Sequence, residues 1–173
     1  MHLFRYYLPM LLLLSLGTNL GDKVRNLHRA LDAIAAQIGT MEAVSHFYAS
    51  EPWGFQSGHN FVNAVAMVST CLSLRDVLTC TQQIERDMGR VQKSTTGYSD
   101  RIIDIDILTY GNRVIAEPNL HVPHMQMHRR NFVLVPLCEI MPEWRHPQLH
   151  CTALELLQQS PDTSQLIRLA DDA

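Results

Sequence analysis

An α+β fold built on a mostly antiparallel sheet is what this 173-residue sequence predicts, and three observations carry the prediction. Apolar residues recur at helical spacing in two segments, 21–38 and 73–89. Strand-like runs lie before, between and after them, giving the order β-α-β-β-α-β. Each helical segment opens on a capping residue and closes on glycine, so its ends are marked as well as its face.

The first strand is the run Leu11-Leu-Leu-Leu-Ser-Leu16. With Arg5 before it, this run imitates the basic and apolar regions of a secretory signal. No small-x-small cleavage site closes it, however, and it is too short to span a bilayer. Gly17-Thr18-Asn19-Leu20-Gly21 then reads as a strand-to-helix connection, so a buried strand is the better account. Residues 1–9 fit neither strand nor turn and are expected to form an N-terminal extension, with Met10 an alternative start.

In the first helix, Val24, Leu27, Leu31, Ile34, Ala35 and Ile38 make the apolar stripe, Asp22 caps the start and Gly39 stops the end. Met41 to Ser50 is expected as one strand, followed by a loop from Glu51 to His59. Phe61 to Ser69 alternates, with Val62, Ala64, Ala66 and Val68 on one face and Phe61, Asn63, Val65 and Met67 on the other. Ser73 caps the second helix, whose stripe is Leu74, Val77, Leu78, Thr81, Ile84 and Met88, and Gly89 ends it. A polar segment, 92–100, precedes the strand Ile102–Tyr110, turned by Gly111-Asn112. Beyond it lie a loop, a short helix near Arg129 to Glu139, and the capping box Thr152-Ala-Leu-Glu155 before a final helix. The order is that of the ferredoxin-like βαββαβ unit with C-terminal additions. No repeat or linker interrupts it, so residues 1–173 are expected to be a single domain.

Composition narrows the function. Hydrophobic residues at 46% and charged residues at 18% exclude a disordered chain. A net charge of −3 opposes nucleic-acid binding, which rests on neutralising phosphates. Cys71, Cys80, Cys138 and Cys151 form no CxxC pair and read as reduced thiols, two of them in helical core positions. The expectation is a cytoplasmic monomer acting on small molecules, with neither nucleic acid nor membrane as partner.

The sharpest chemical signal is Arg101-Ile-Ile-Asp104-Ile-Asp106-Ile107-Leu108. On a strand, residues i and i+2 face one side about 6.5–7 Å apart. Asp104 and Asp106 therefore share a face, and they repel unless something positive lies between them. A divalent cation with phosphate oxygens would satisfy them; a solvent-facing strand with alternating Asp is the plainer alternative. Arg90, Lys93 and Arg101 bracket the polar segment beside this pair, as a phosphate grip or as a solvated loop. Phe61 and Asn63, with Trp53 in the preceding loop, suit a flat heterocycle needing both stacking and paired hydrogen bonds, although a phenylalanine taken alone is more often core than ligand platform. His121, His124 and His128 have near-helical spacing, but Pro123 breaks a helix through them, so nucleotide contacts from His124 and Arg130 fit better than zinc. Gly17–Gly21 is neither a dinucleotide fingerprint nor a P-loop.

Taken in order, Ser15-Leu-Gly-Thr-Asn-Leu-Gly21, Phe47-Tyr48, Glu51-Pro-Trp-Gly54, Phe61-Val-Asn63-Ala, Gln82-Gln-Ile-Glu85, Gly89-Arg90, Arg101–Leu108 and Val122-Pro-His124 resemble the 6-hydroxymethyl-7,8-dihydropterin pyrophosphokinase family of folate biosynthesis. The likeness runs from about Leu11 to Glu143. It implies transfer of the β,γ-diphosphoryl group of ATP to the pterin hydroxymethyl oxygen, releasing AMP. It further implies that Asp104 and Asp106 hold two Mg²⁺ ions, and that Asn63, Phe61, Phe132, Ser50 and Trp53 form the pterin pocket. By the same likeness Gln82, Lys93, Arg101, Ile107, His124 and Arg130 line the nucleotide, and Arg90 joins Arg101 on the transferring phosphates. Ser99-Asp100 stands where the family usually has Gly-Pro, Gln92 where a second loop arginine is common, and Met125 where an aromatic is frequent. The rival from another class is a ferredoxin-like small-ligand-binding regulatory module without catalysis.

Overall fold

A computed structural model describes residues 8–90 and 99–170. The first half runs β1 (Met10–Thr18), α1 (Lys23–Gln37), β2 (Thr40–Val44), β3 (Tyr48–Ser50), β4 (Phe61–Thr70), α2 (Leu74–Asp87) and β5 (Asp104–Tyr110). A hairpin of β6 (Ile115–Glu117) and β7 (Leu120–Val122) follows, then α3 (Asn131–Ile140), α4 (Ala153–Gln158) and β8 (Ile167–Arg168). The main sheet has the order β5-β1-β4-β3-β8, with β2 also paired to β4, and its pairings are antiparallel.

The sheet separates two apolar cores, and alternation along its strands assigns each side chain to one of them. Leu12, Leu14 and Leu16 of β1 join Val62, Ala64, Ala66 and Val68 of β4 and Ile105 and Ile107 of β5 under α1 and α2. Leu13, Val65 and Leu108 face the other way, under α3 and α4. The leucine run is thus a central strand buried on both faces, which is why it reads as continuous rather than alternating.

The caps stand where their chemistry predicts. Asp22 and Ser73 accept from the backbone N–H groups of Arg25 and Asp76, and Thr152 with Glu155 closes a full capping box. Gly39 is required by space: a Cβ there would lie 2.2 Å from the Ser69 carbonyl oxygen.

Several elements differ from the sequence expectation. The single strand expected over 41–50 is two, because Ser45 Oγ takes the Val65 N–H at 3.0 Å and interrupts the ladder. The helix expected near Arg129 to Glu139 is a 3-10 turn, Met127–Arg129, followed by α3. The last core strand begins at Asp104 rather than Ile102, and β6, β7 and β8 have no counterpart in the prediction. The helical cysteines Cys80 and Cys138 are only partly buried, and all four cysteines are free. Residues 1–7 of the expected N-terminal extension, together with Gln92 and Lys93, lie outside the described residues. Among the described residues no helix is long and apolar enough to cross a membrane.

Candidate functional site

The face covered by α3 and α4 is covered only in part, and the open part is the site. There the strand registers bring Asn63 of β4, Gly17 of β1 and Asp104 of β5 into one row, with Ser15 opposite Asp106 in the next. Small residues at 15 and 17 leave a depression in the middle of the sheet; a Cβ on Gly17 would come within 3.0 Å of Asn63 Oδ1. A pocket of ≈ 500 Å³, its open mouth included, lies over this row. Ser50, Trp53, Phe55, Phe61, Arg101, Arg130 and Phe132 wall it.

The polar floor of the pocket is hydrogen-bonded within itself. Asn63 is 3% exposed and donates through Nδ2 to Ser50 Oγ at 2.9 Å, a bond made possible by the pairing of β3 with β4. Phe55 meets Phe61 edge-on at 6.0 Å between centroids, and Trp53 meets Phe132 likewise at 6.4 Å. Guanidinium groups lie on the aromatic faces: Arg101 is 5.4 Å from Phe61, and Arg130 is 4.7 Å from Trp53 and 5.6 Å from Phe132.

Two arginines bring positive charge to Asp104. Arg101 Nη1 reaches Asp104 Oδ2 at 2.9 Å, and Arg90 Nη1 bonds Asp104 Oδ1 from behind. Arg90 is in turn held by Glu85 Oε1 at 2.6 Å, and the same carboxylate oxygen accepts the Ile105 N–H at 2.8 Å. Burial works against the Arg90 charge, but Asp104, Glu85 and Asp106 outweigh it and hold the guanidinium above the usual arginine range. Glu85 itself is 3% exposed, a buried carboxylate made tolerable by these bonds.

A second cleft lies on the far side of Asp106. Ile105, Asp106 and Ile107 of β5, Leu78 and Thr81 of α2, the segment 118–121, and His124, Gln126 and Arg130 line it. The His124 backbone N–H donates to Leu108 O at 2.8 Å, which docks the segment after β7 against β5. Its ring Nδ1 accepts from Gln126 N–H at 3.2 Å. Asp106 and Arg130 belong to both cavities.

The structure therefore gathers Ser50, Trp53, Phe61, Asn63, Phe132, Arg101, Asp104, Asp106 and Arg130 around one pocket. Ile107 and His124 line the adjoining cleft. Gln82 lines neither, and Arg90 stands behind Asp104 rather than on a wall. Lys93 lies outside the described residues.

Sequence reading assigned no role to Asn19, Ser15, Gly17, Phe55 or Glu85. For Glu85 a signal existed: it falls on the apolar stripe of α2, four residues after Thr81, where a carboxylate has no place without a partner. Ser15 and Gly17 break the apolar run of β1 at alternate positions, which marks one face of a strand.

A family model described as 7,8-dihydro-6-hydroxymethylpterin-pyrophosphokinase (HPPK) matches residues 13–142. The 2-amino-4-hydroxy-6-hydroxymethyldihydropteridine pyrophosphokinase of Porphyromonas gingivalis is 47% identical over 137 residues, covering 78% of this chain and 92% of that one. The protein of the same name from Haemophilus influenzae is 41% identical over 150 residues, covering 86% and 92%. In fold, the chain is similar to wild-type Plasmodium falciparum HPPK-DHPS with a TM-score of 0.73 at 17% identity. That match covers 87% of this chain and spans 44% of the other. These likenesses favour a catalyst over a regulatory binding module.

Proposed function

The chain belongs to the 7,8-dihydro-6-hydroxymethylpterin-pyrophosphokinase family, and from that premise we propose that the pocket over β4 and β1 holds the dihydropterin while the adjoining cleft holds ATP. The activity is transfer of the diphosphoryl group of ATP to the hydroxymethyl oxygen of 6-hydroxymethyl-7,8-dihydropterin, giving AMP and the pterin diphosphate in folate biosynthesis. The observation that carries the placement is the common wall: Asp106 and Arg130 line both cavities, so the two substrates meet there.

Phe61 and Phe132 supply aromatic faces for a flat ring, and Trp53 closes the side. Asn63, oriented by Ser50, presents its amide to the polar edge of the heterocycle. Ile107, His124 and Arg130 receive the nucleotide, with Gln82 and Lys93 assigned to it by the family likeness alone. Arg101 lies between Phe61 and Asp104, where its charge can follow the diphosphoryl group from one cavity to the other. Arg90, locked between Glu85 and Asp104, acts by holding the carboxylate in place.

The donor set at Asp104 and Asp106 fits hard divalent cations. Two carboxylates share one face of β5 and border the pocket together. Such a pair leaves the remaining positions to phosphate oxygens and water, as Mg²⁺ prefers. We assign two Mg²⁺ ions to this pair; when bound they neutralise the triphosphate. What the chain itself contributes is alignment, since diphosphoryl transfer depends on positioning and charge more than on covalent chemistry.

The strand order, with α1 and α2 on one face, supports a ferredoxin-like core in which the second strand is divided into β2 and β3. One sheet shared by both apolar cores supports a single domain, and four free cysteines support a cytoplasmic setting. A monomer acting on small molecules, without nucleic acid or membrane, completes the reading; the net charge of −3 supports the absence of nucleic acid. Incubation with ATP, Mg²⁺ and the dihydropterin tests the function. AMP forms only when the pterin is present, and formation of ADP alone would overturn the assignment.

A further inference from the structure

We propose that Asp162 is a positioning residue for the pterin pocket, acting through Asn131. It lies beyond the region matched by the family model, in the segment that follows α4. The residue before α3, Arg130, makes no capping hydrogen bond with its side chain, because a guanidinium cannot accept one. Asp162 supplies the cap from a distance in sequence. Its Oδ2 accepts the Asn131 N–H at 2.7 Å, and its backbone carbonyl accepts Asn131 Nδ2, also at 2.7 Å. Asp162 is fixed in turn: Ser164 N–H donates to its Oδ1 at 2.9 Å, and its own N–H donates to Ser160 Oγ at 3.2 Å.

The consequence follows from what flanks Asn131. Arg130 and Phe132, the residues on either side, both line the pocket, and Arg130 lines the adjoining cleft as well. The first turn of α3 therefore sets the direction of one aromatic wall and of the cation shared by the two cavities. A carboxylate at a helix start is favoured by the helix dipole as well as by its hydrogen bonds, so the clamp holds that turn firmly. Small displacements of such a wall are costly, because the ring must fit between Phe61 and Phe132.

The experiment titrates 6-hydroxymethyl-7,8-dihydropterin into the full chain with Mg²⁺ and a non-hydrolysable ATP analogue present, and measures melting temperature in parallel. Asp162→Ala is expected to weaken pterin binding about tenfold, the affinity equivalent of one lost cap. Asn131→Ala, which removes the side-chain half of the clamp, weakens it several-fold and decides the matter if Asp162→Ala does not fold. Asp162→Asn keeps an acceptor for the Asn131 N–H and recovers most of the affinity. Thr152→Ala removes a cap of the same kind from α4; it lowers the melting temperature comparably and leaves pterin binding unchanged. Unchanged affinity in Asp162→Ala, or an equal loss in Thr152→Ala, would overturn the proposal. It rests on the pterin reading of the pocket, and Phe61→Ala in the same titration keeps the two apart. If Phe61→Ala has no effect, the pocket reading falls and the inference with it. If Phe61→Ala weakens binding and the clamp variants do not, only the inference falls.

Discussion

Asn19 and Arg101 hold each other through two hydrogen bonds. The Asn19 N–H donates to Arg101 O at 3.1 Å, and the Arg101 N–H donates to Asn19 Oδ1 at 2.7 Å. Asn19 Nδ2 also reaches Asp100 Oδ1 at 2.6 Å. The turn after β1 thereby fixes the backbone that delivers the Arg101 guanidinium to Asp104 and Phe61. A loop residue conveniently placed for this has both a donor and an acceptor on a short side chain, and asparagine meets that need.

Arg101→Ala should lower kcat by about 10³-fold, the scale of other arginines that meet a transferring phosphoryl group, with little change in ATP affinity. Asn19→Ala should give a smaller fall in kcat of the same kind. Steady-state kinetics with both substrates saturating reads the difference; a change confined to KM would assign Arg101 to ground-state binding.

Both aspartates should matter for activity, and Asp104 for stability as well. Asp104→Asn and Asp106→Asn are each expected to reduce turnover by about 10³-fold or more, the cost of losing a preorganised charge. Asp104 is bonded to both Arg90 and Arg101, so Asp104→Asn should also cost about 1–3 kcal/mol, read as ~2–12 °C in melting temperature. Near-wild-type turnover in a folded variant would remove the metal assignment.

Asn63→Ala and Phe61→Ala should each weaken pterin binding by about 1–3 kcal/mol and leave ATP binding unchanged. Arg130→Ala should weaken both ligands, since both cavities share it. Calorimetry on the three variants distinguishes this pattern from general destabilisation, which would move both ligands in all three.

Glu85→Gln keeps an acceptor for the Ile105 N–H but removes the charge that balances Arg90. Breaking one side of a buried pair is expected to cost about 3 kcal/mol. Turnover per folded molecule should fall with it, because Asp104 loses its backing. Denaturant unfolding beside active-site titration separates the two effects.

Stability should decline in acid in two stages. His146 is 4% exposed, and burial, then the neighbouring His128 and His150, hold its pKa below the ordinary 6.5. Its Nδ1 accepts from the Gln148 and Leu149 N–H groups, bonds that protonation would break. The unfolded chain therefore takes up this proton first, and stability falls as pH drops below about 6.5. Glu139 provides the second stage. Burial alone would raise its pKa, but bonds from His46 and Tyr48 outweigh this and hold it below 4.5, so its contribution is lost only as pH falls below that value. Melting curves from pH 8 to 2.5 should show both declines, and His146→Asn should weaken the first.

Alternation was enough to divide the side chains of β4 and of β5 between the two faces of each strand. Val62 and Val65 fall on opposite faces of β4, and Ile105 on the face of β5 away from Asp104 and Asp106, because a strand reverses its side chains at every residue. Asp22, Ser73 and Thr152 marked three helix starts for an equally local reason: each satisfies a backbone N–H within its own turn. The common face of Asp104 and Asp106 followed from the same period. Motif order carried the family likeness, and through it the expected walls of the pterin pocket.

Contacts between distant segments were decided only by the tertiary structure. Ser45 breaks the strand expected over 41–50 because it meets Val65 of β4, and nothing in its own neighbourhood announces that meeting. Arg90 turned out to back Asp104 through Glu85, since α2 packs across β5 at that height. The row Asn63–Gly17–Asp104 depends on the register of three strands, and the cap that Asp162 gives to Asn131 depends on where α4 releases the chain. Local propensity reaches one turn or one alternation along the chain. Register, burial of charge and a capping partner from a remote segment are settled when the sheet and helices close on one another.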